Sequence, residues 1–155
     1  MADAAANNSG DYTGTFEHGV DASFRVMLPS TWHPADKDTL FTMIPWPVKD
    51  PDHLLVLPPD RWELVKQRLK ETFSLTSKVG AVVLRAITGS AVRKKLDDAG
   101  RLCLGEKLAK LIHLNGKAAL VGCNDTFEIW EPGRLAAVQG LIQEVPDETL
   151  ENLRI

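Results

Sequence analysis

From Tyr12 onward the chain alternates apolar and polar residues in an interrupted way, with Phe16, Val20, Phe24, Val26 and Leu28 carrying the apolar positions. A period of two predicts strands, here a hairpin turning through residues 21–23 and stopped by Pro29. Residues 30–38 read as a loop or single helical turn, and 39–44 return to a strand pattern. Pro45, Pro47 and Pro51 predict a stiff connection to a strand over 54–57. Pro58 and Pro59 open a helix, because proline is tolerated where first-turn amides lack partners. Trp62, Val65 and Leu69 share one face of it, with Glu63, Lys66, Arg68 and Lys70 outside. Residues 76–88 place Val79, Val82, Val83, Ala86 and Ile87 at helical spacing, with Thr76 as cap, although the valines also suit a strand. The pattern then starts again. Strands are expected over 91–96 and 102–104, joined by a turn over 97–100. A short helix over 106–113 turns Leu108, Leu111 and Ile112 inward and stops at Asn115-Gly116. Strands over 118–121 and 126–130, a closing helix over 132–144 and a fraying acidic end over 146–155 complete the series.

This restart is a repeat. Asp21-Ala22-Ser23-Phe24-Arg25 is echoed by Asp97-Asp98-Ala99-Gly100-Arg101. Further on, the stretch from Asp52 to Trp62 aligns with that from Asp125 to Leu135, keeping the aspartate, two apolar positions, a proline and an arginine in register. Two copies of one small unit predict internal pseudo-twofold symmetry. At 155 residues each half is too small to bury a good core alone, so the halves should fold onto each other.

The composition, 44% hydrophobic and 25% charged, is that of a globular protein. No apolar run is long enough to span a bilayer, and residues 1–10 lack the basic and apolar regions of a secretion signal, so a cytoplasmic protein without membrane contact is expected. Cys103 and Cys123 lie in apolar runs and read as reduced core thiols. His18, His33, His53 and His113 show no metal-ligand spacing, and no nucleophile elbow or glycine-rich phosphate loop occurs. No enzyme, metal, cofactor or small-molecule substrate is expected. The net charge of −3 denies the chain a broadly cationic surface, so nucleic-acid binding would need a few placed cations repeated across an oligomer.

The two Asp-x-x-x-Arg turns, together with Val121-Gly122-Cys123-Asn124-Asp125-Thr126-Phe127-Glu128-Ile129-Trp130, resemble the MraZ family of bacterial transcription factors associated with the division and cell wall gene cluster. The likeness runs from about Tyr12 to Leu141. It implies an α+β fold: two pseudo-symmetric SpoVT/AbrB-like β-hairpin repeats forming a small β-barrel-like core with packing helices. The implied boundaries are a flexible arm over 1–11, a first repeat over 12–72, a connecting helix over 73–90, a second repeat over 91–144 and an acidic tail over 145–155. It also implies a ring-shaped homo-oligomer that presents the turns to tandem promoter repeats of double-stranded DNA, most plainly as a nucleoid-associated repressor. Arg25 and Arg101 match the family arginine, Asp21 and Asp97 its aspartate, Gly100 its glycine and Pro29 its proline. Ser23-Phe24 stands where the family has Lys-Gly, Ala99 replaces the second lysine, and Gly105 replaces the second proline.

An arginine at such a turn can pair its planar fork with guanine O6 and N7 in the major groove, worth ~1 to 3 kcal/mol of discrimination. The aspartate four residues earlier would hold the turn or the arginine. The plainer reading is an ion pair that only fixes the turn; both roles can coexist. Arg93, Lys94 and Lys95 just upstream of the second turn, more ordinarily a solvated strand edge, would supply phosphate contacts that the missing lysines cannot. Arg61 and Arg134, at matching helix starts, read as packing or subunit contacts, and Trp62 and Trp130 as core or interface anchors. A rival reading keeps the ring as an interaction scaffold without DNA binding; a small enzyme on a related barrel has no catalytic cluster to support it.

Overall fold

The computed structural model describes residues 11–155, so nearly all of the expected arm lies outside the described residues. The strands are β1 (Thr15–Gly19), β2 (Arg25–Met27), β3 (Phe41–Trp46), β4 (His53–Leu57), β5 (Val92–Lys94), β6 (Arg101–Cys103), β7 (Lys117–Gly122) and β8 (Phe127–Trp130). The helices are α1 (Pro59–Thr72), α2 (Lys78–Thr88), α3 (Gly105–Leu111), α4 (Pro132–Gln139) and α5 (Asp147–Glu151), with 3-10 turns at Ser30–Trp32 and Gly140–Glu144. A six-stranded antiparallel sheet runs β1-β7-β8-β4-β3-β5, and β2 pairs with β6 in a sheet of two.

If β1, β2, β3 and β4 are matched with β5, β6, β7 and β8, the large sheet reads the same from either end. Its centre is the β4–β8 ladder, where Leu54 faces Ile129 and Val56 faces Phe127. These four are the repeated inward positions of the sequence, and all are fully buried. Pro59 and Pro132 sit at the first position of the helices that follow, where the missing amide costs nothing. The sheet remains open between β1 and β5, which corrects the barrel-like expectation. Edge strands of five and three residues are too short to wrap round and meet.

One side of the large sheet, with β2, β6, α3 and Trp32, forms the main core of Tyr12, Val26, Leu28, Phe41, Leu102 and neighbouring apolar residues. Trp32 stands edge-on to Tyr12 and Phe16 and packs against Phe127. Ile44 and Leu57 form a second cluster with Trp62, Leu69 and Ile87 of α1 and α2, while Trp130 and Leu135 anchor a third beside α4.

Several local expectations change. The first turn does not close an ordinary hairpin: past a single bridge at Val20 and Val26, β1 goes to β7 and β2 to β6. Pro45 lies within β3, opposite Leu54, rather than in a connection. Ser77, not Thr76, caps α2, accepting the Gly80 amide at 3.1 Å. In α3 the small Ala109 is buried and Leu111 turns outward, and His113, at φ 61°, takes the left-handed position after the helix ahead of Gly116. The closing helix ends at Gln139 and tightens into 3-10 geometry, and the acidic end carries α5. Neither cysteine joins the core: Cys103 is half-buried and Cys123 exposed. Each lies at or just past the end of a short strand, where an apolar run no longer implies burial.

Candidate functional site

The two repeated turns share one construction. Asp21 Oδ1 accepts the amides of Ser23 and Arg25, both at 2.9 Å. Asp97 Oδ1 accepts those of Ala99 and Arg101, at 3.0 and 2.8 Å. An aspartate one residue before a tight bend holds it closed in this way because its short side chain mimics a backbone carbonyl. The fourth turn residue takes a left-handed conformation in both, Phe24 at φ 60° and Gly100 at φ 85°. Gly100 is also required by contact, since a Cβ there would collide with the His33 ring, which Nε2 ties to the Leu28 carbonyl at 3.0 Å.

The arginines are then fixed. Arg25 Nε donates to Asp21 Oδ2 at 2.7 Å, and Arg101 Nε to Asp97 Oδ2 at 2.8 Å. The β2–β6 ladder brings the turns together, with Val26 opposite Leu102 at its centre. The Phe24 carbonyl receives the Leu104 amide and the Gly100 carbonyl the Leu28 amide, at 2.8 and 3.1 Å. Each arginine therefore also approaches the other turn's carboxylate: Arg25 Nη1 lies 4.0 Å from Asp97 Oδ2, and Arg101 Nη1 lies 3.7 Å from Asp21 Oδ2. Both aspartates are held below the usual carboxylate range, first by the backbone amide of their arginine and then by its guanidinium. About a third of each arginine side chain remains accessible, 35% and 33%. The four residues make a nearly neutral cluster in which each Nε is hydrogen-bonded to its own turn's carboxylate and each Nη1 lies within ion-pair distance of the other's.

The three upstream cations are exposed. Arg93 and Lys94 lie on edge strand β5, where successive side chains point to opposite faces. Lys95 Nζ is 3.4 Å from Asp38, so part of its charge is already answered. Arg61 Nε lies 3.3 Å from Asp125 Oδ2, at an angle too poor for a full hydrogen bond, and ties α1 to the loop before β8.

A second polar cluster has no counterpart in the sequence reading. His53, buried in β4, stacks on Trp130 with ring centroids 4.2 Å apart. Its Nδ1 donates to Asp52 at 2.7 Å, and Nε2 lies 3.3 Å from Glu128 Oε2, off the line of a good hydrogen bond. Burial alone would push this imidazole down, but Glu128 and Asp52 outweigh it and hold the value above normal. Burial pushes Glu128 up, yet His53 and the Trp130 indole hold it below the ordinary glutamate value. A signal existed only in the alternation, which places His53 and Glu128 on paired strands once the register is known. Among the described residues no group of three or more His, Cys, Asp or Glu could hold a metal, and no helix is long and apolar enough to cross a membrane.

No protein-family model matches the chain. Individual relatives do. It is 29% identical to the transcriptional regulator MraZ of Pediococcus pentosaceus over 92% of this chain and 96% of that one. Identity to the MraZ of Hyphomonas neptunium is 28%, covering 90% and 86% of the two chains, and to that of Pseudomonas fluorescens 29%, covering 82% and 84%.

Proposed function

The chain belongs to the MraZ family, and from that premise we propose that it is a sequence-specific DNA-binding transcriptional regulator, not an enzyme. The observation that carries this reading is the pair of matching turns, with Arg25 and Arg101 held side by side by Asp21 and Asp97. In this role the Nε bond to the aspartate fixes each guanidinium plane, and the terminal edge of the fork reads guanine in the major groove of double-stranded DNA. A fork fixed before binding loses less rotational freedom when the complex forms. Gly100 and Phe24 supply the bend that aims it. Arg93, Lys94 and Lys95 contribute phosphate contacts, Lys95 after releasing Asp38.

Two arginines cannot by themselves overcome an overall charge of −3. The proposal therefore includes assembly into a ring whose duplicated, SpoVT/AbrB-like subunits engage tandem promoter repeats together. Linked weak contacts multiply affinity by on the order of 10² to 10⁴. The protein then represses the division and cell wall genes by occupying their promoter at the nucleoid. Footprinting on DNA upstream of that cluster tests it: protection should recur at the spacing of the repeats, and a uniform, unprotected ladder would contradict it.

One observation favours a second reading, a ring-forming interaction scaffold. The four-residue cluster pairs two cations with two anions, and the family's turn lysines are replaced by Ser23 and Ala99. A scaffold would show no salt-dependent affinity for DNA.

A further inference from the structure

Two apolar surfaces stand uncovered in the same subunit, and their charges are opposite. The first is the outer side of α2 and the bend before it. Leu75, Val79 and Val82 are 72%, 70% and 62% exposed, although Ala81 and Ile87 of the same helix are buried. Leu75, Ala81 and Val82 line a shallow hollow of about 370 Å³ flanked by Lys78 and Arg85. Residues 74–88 contain those two cations and no acid. The second surface is the segment 141–155, where Leu141, Ile142, Leu150 and Leu153 are exposed beside Glu144, Asp147, Glu148 and Glu151, with Arg154 the single cation. Leu150 lies in α5 and Leu153 in the turn just past it, where the Leu153 amide donates to the Leu150 carbonyl at 3.1 Å.

Apolar side chains clustered at such exposure mark a contact surface. The occupant of one is suggested by the other: a basic hollow sized for a few aliphatic groups and an acidic segment that displays them. Within one subunit both are open to solvent, so the segment does not cover its own α2. We propose that residues 141–155 of one copy seat on the α2 hollow of a neighbouring copy, with Leu150 and Leu153 in the hollow and Glu148 and Glu151 against Lys78 and Arg85. The two patches differ, so the contact is head to tail: every copy offers one segment and one hollow, and such a contact propagates until the rotation closes a ring. This gives the ring assumed by the proposed function its surfaces, and rests on that reading only for the closure.

Light scattering coupled to size exclusion tests it with two variants, Leu75→Asp/Val82→Asp in the hollow and Leu150→Asp/Leu153→Asp in the segment. All four side chains are exposed, so the subunit fold should persist, as circular dichroism would report. Unmixed, each variant should run as a monomer where the unaltered chain is a larger oligomer. Mixed in equal amounts they should form a dimer of twice the monomer mass and stop, because one hollow and one segment remain intact. Should a hollow variant fail to fold, Lys78→Glu/Arg85→Glu replaces it. Oligomers of unaltered mass in both variants, a mixture that stays monomeric, or an unaltered chain that is itself monomeric would overturn the proposal. Oligomers of unaltered mass whose DNA binding still depended on Arg25 would leave the regulator reading standing while this contact fell, whereas a monomeric unaltered chain would remove the ring from both.

Discussion

Arg25 Nη1 lies 4.0 Å from Asp97 Oδ2, so the cation of the first turn stands within ion-pair distance of the anion of the second across 72 residues of chain. The mirrored contact joins Arg101 to Asp21 at 3.7 Å. Either turn therefore orients the arginine of the other.

Asp97→Asn follows from this relationship. It keeps an acceptor for the turn amides but removes one negative charge from a cluster that holds two of each sign. Binding to unrelated duplexes should strengthen and grow more salt-dependent, while preference for the promoter repeats falls because both guanidinium groups lose an anchor. Anisotropy titrations against specific and scrambled duplexes measure both; unchanged discrimination would show that the aspartate only shapes the loop.

Phe24 occupies a left-handed position that costs a side-chain-bearing residue roughly 1 to 2 kcal/mol. Its partner turn has glycine there. Phe24→Gly should raise stability by up to about 1 kcal/mol after the unfolded glycine's extra freedom is counted. The urea midpoint reports it, and a lower midpoint would mean that packing of the ring outweighs backbone strain.

Gly100→Ala should act in the opposite direction. The added methyl meets the His33 ring at a backbone angle that alanine resists, a loss of roughly 1 to 3 kcal/mol. Combining it with His33→Ala should recover the steric part and leave the backbone part. No recovery in thermal melts of the double variant would exclude the ring contact as a cause.

The pair of His53 and Glu128 predicts a pH dependence with two limits. His53 has its value raised on folding, so its contribution is complete below the unfolded value of about 6.5 and is lost as pH climbs through the higher folded value. Glu128 is lowered, so its contribution is present above its unfolded value and lost as pH falls through the folded one. Stability should peak between these limits and decline as pH rises past the unfolded histidine value and through the higher folded one, and His53→Gln should flatten that decline. A profile unchanged by the substitution would place the alkaline loss elsewhere.

Much of the fold was readable because it is written in apolar alternation. Leu54, Val56, Phe127 and Ile129 are both the repeated sequence positions and the centre of the sheet. What escaped was long-range. Nothing within 21–28 distinguishes a hairpin from a strand that leaves to pair with residues 101–103, since β pairing is decided by the partner. Burial departs from the apolar pattern where strands end, at Cys103 and Cys123, and on α3, where Ala109 turns inward in place of Leu111. The candidate arginines were legible from their repetition. Their mutual contact, and the His53–Trp130 stack, required the register of strands far apart in sequence.

The most direct measurement is a set of binding titrations on promoter-repeat DNA at several salt concentrations, with the unaltered protein and Arg25→Ala/Arg101→Ala. Affinity should fall linearly in log salt for the unaltered protein and be lost in the double variant, with the assembly's mass unchanged. Retained, repeat-selective binding by the double variant would contradict the claim that these two turns read DNA.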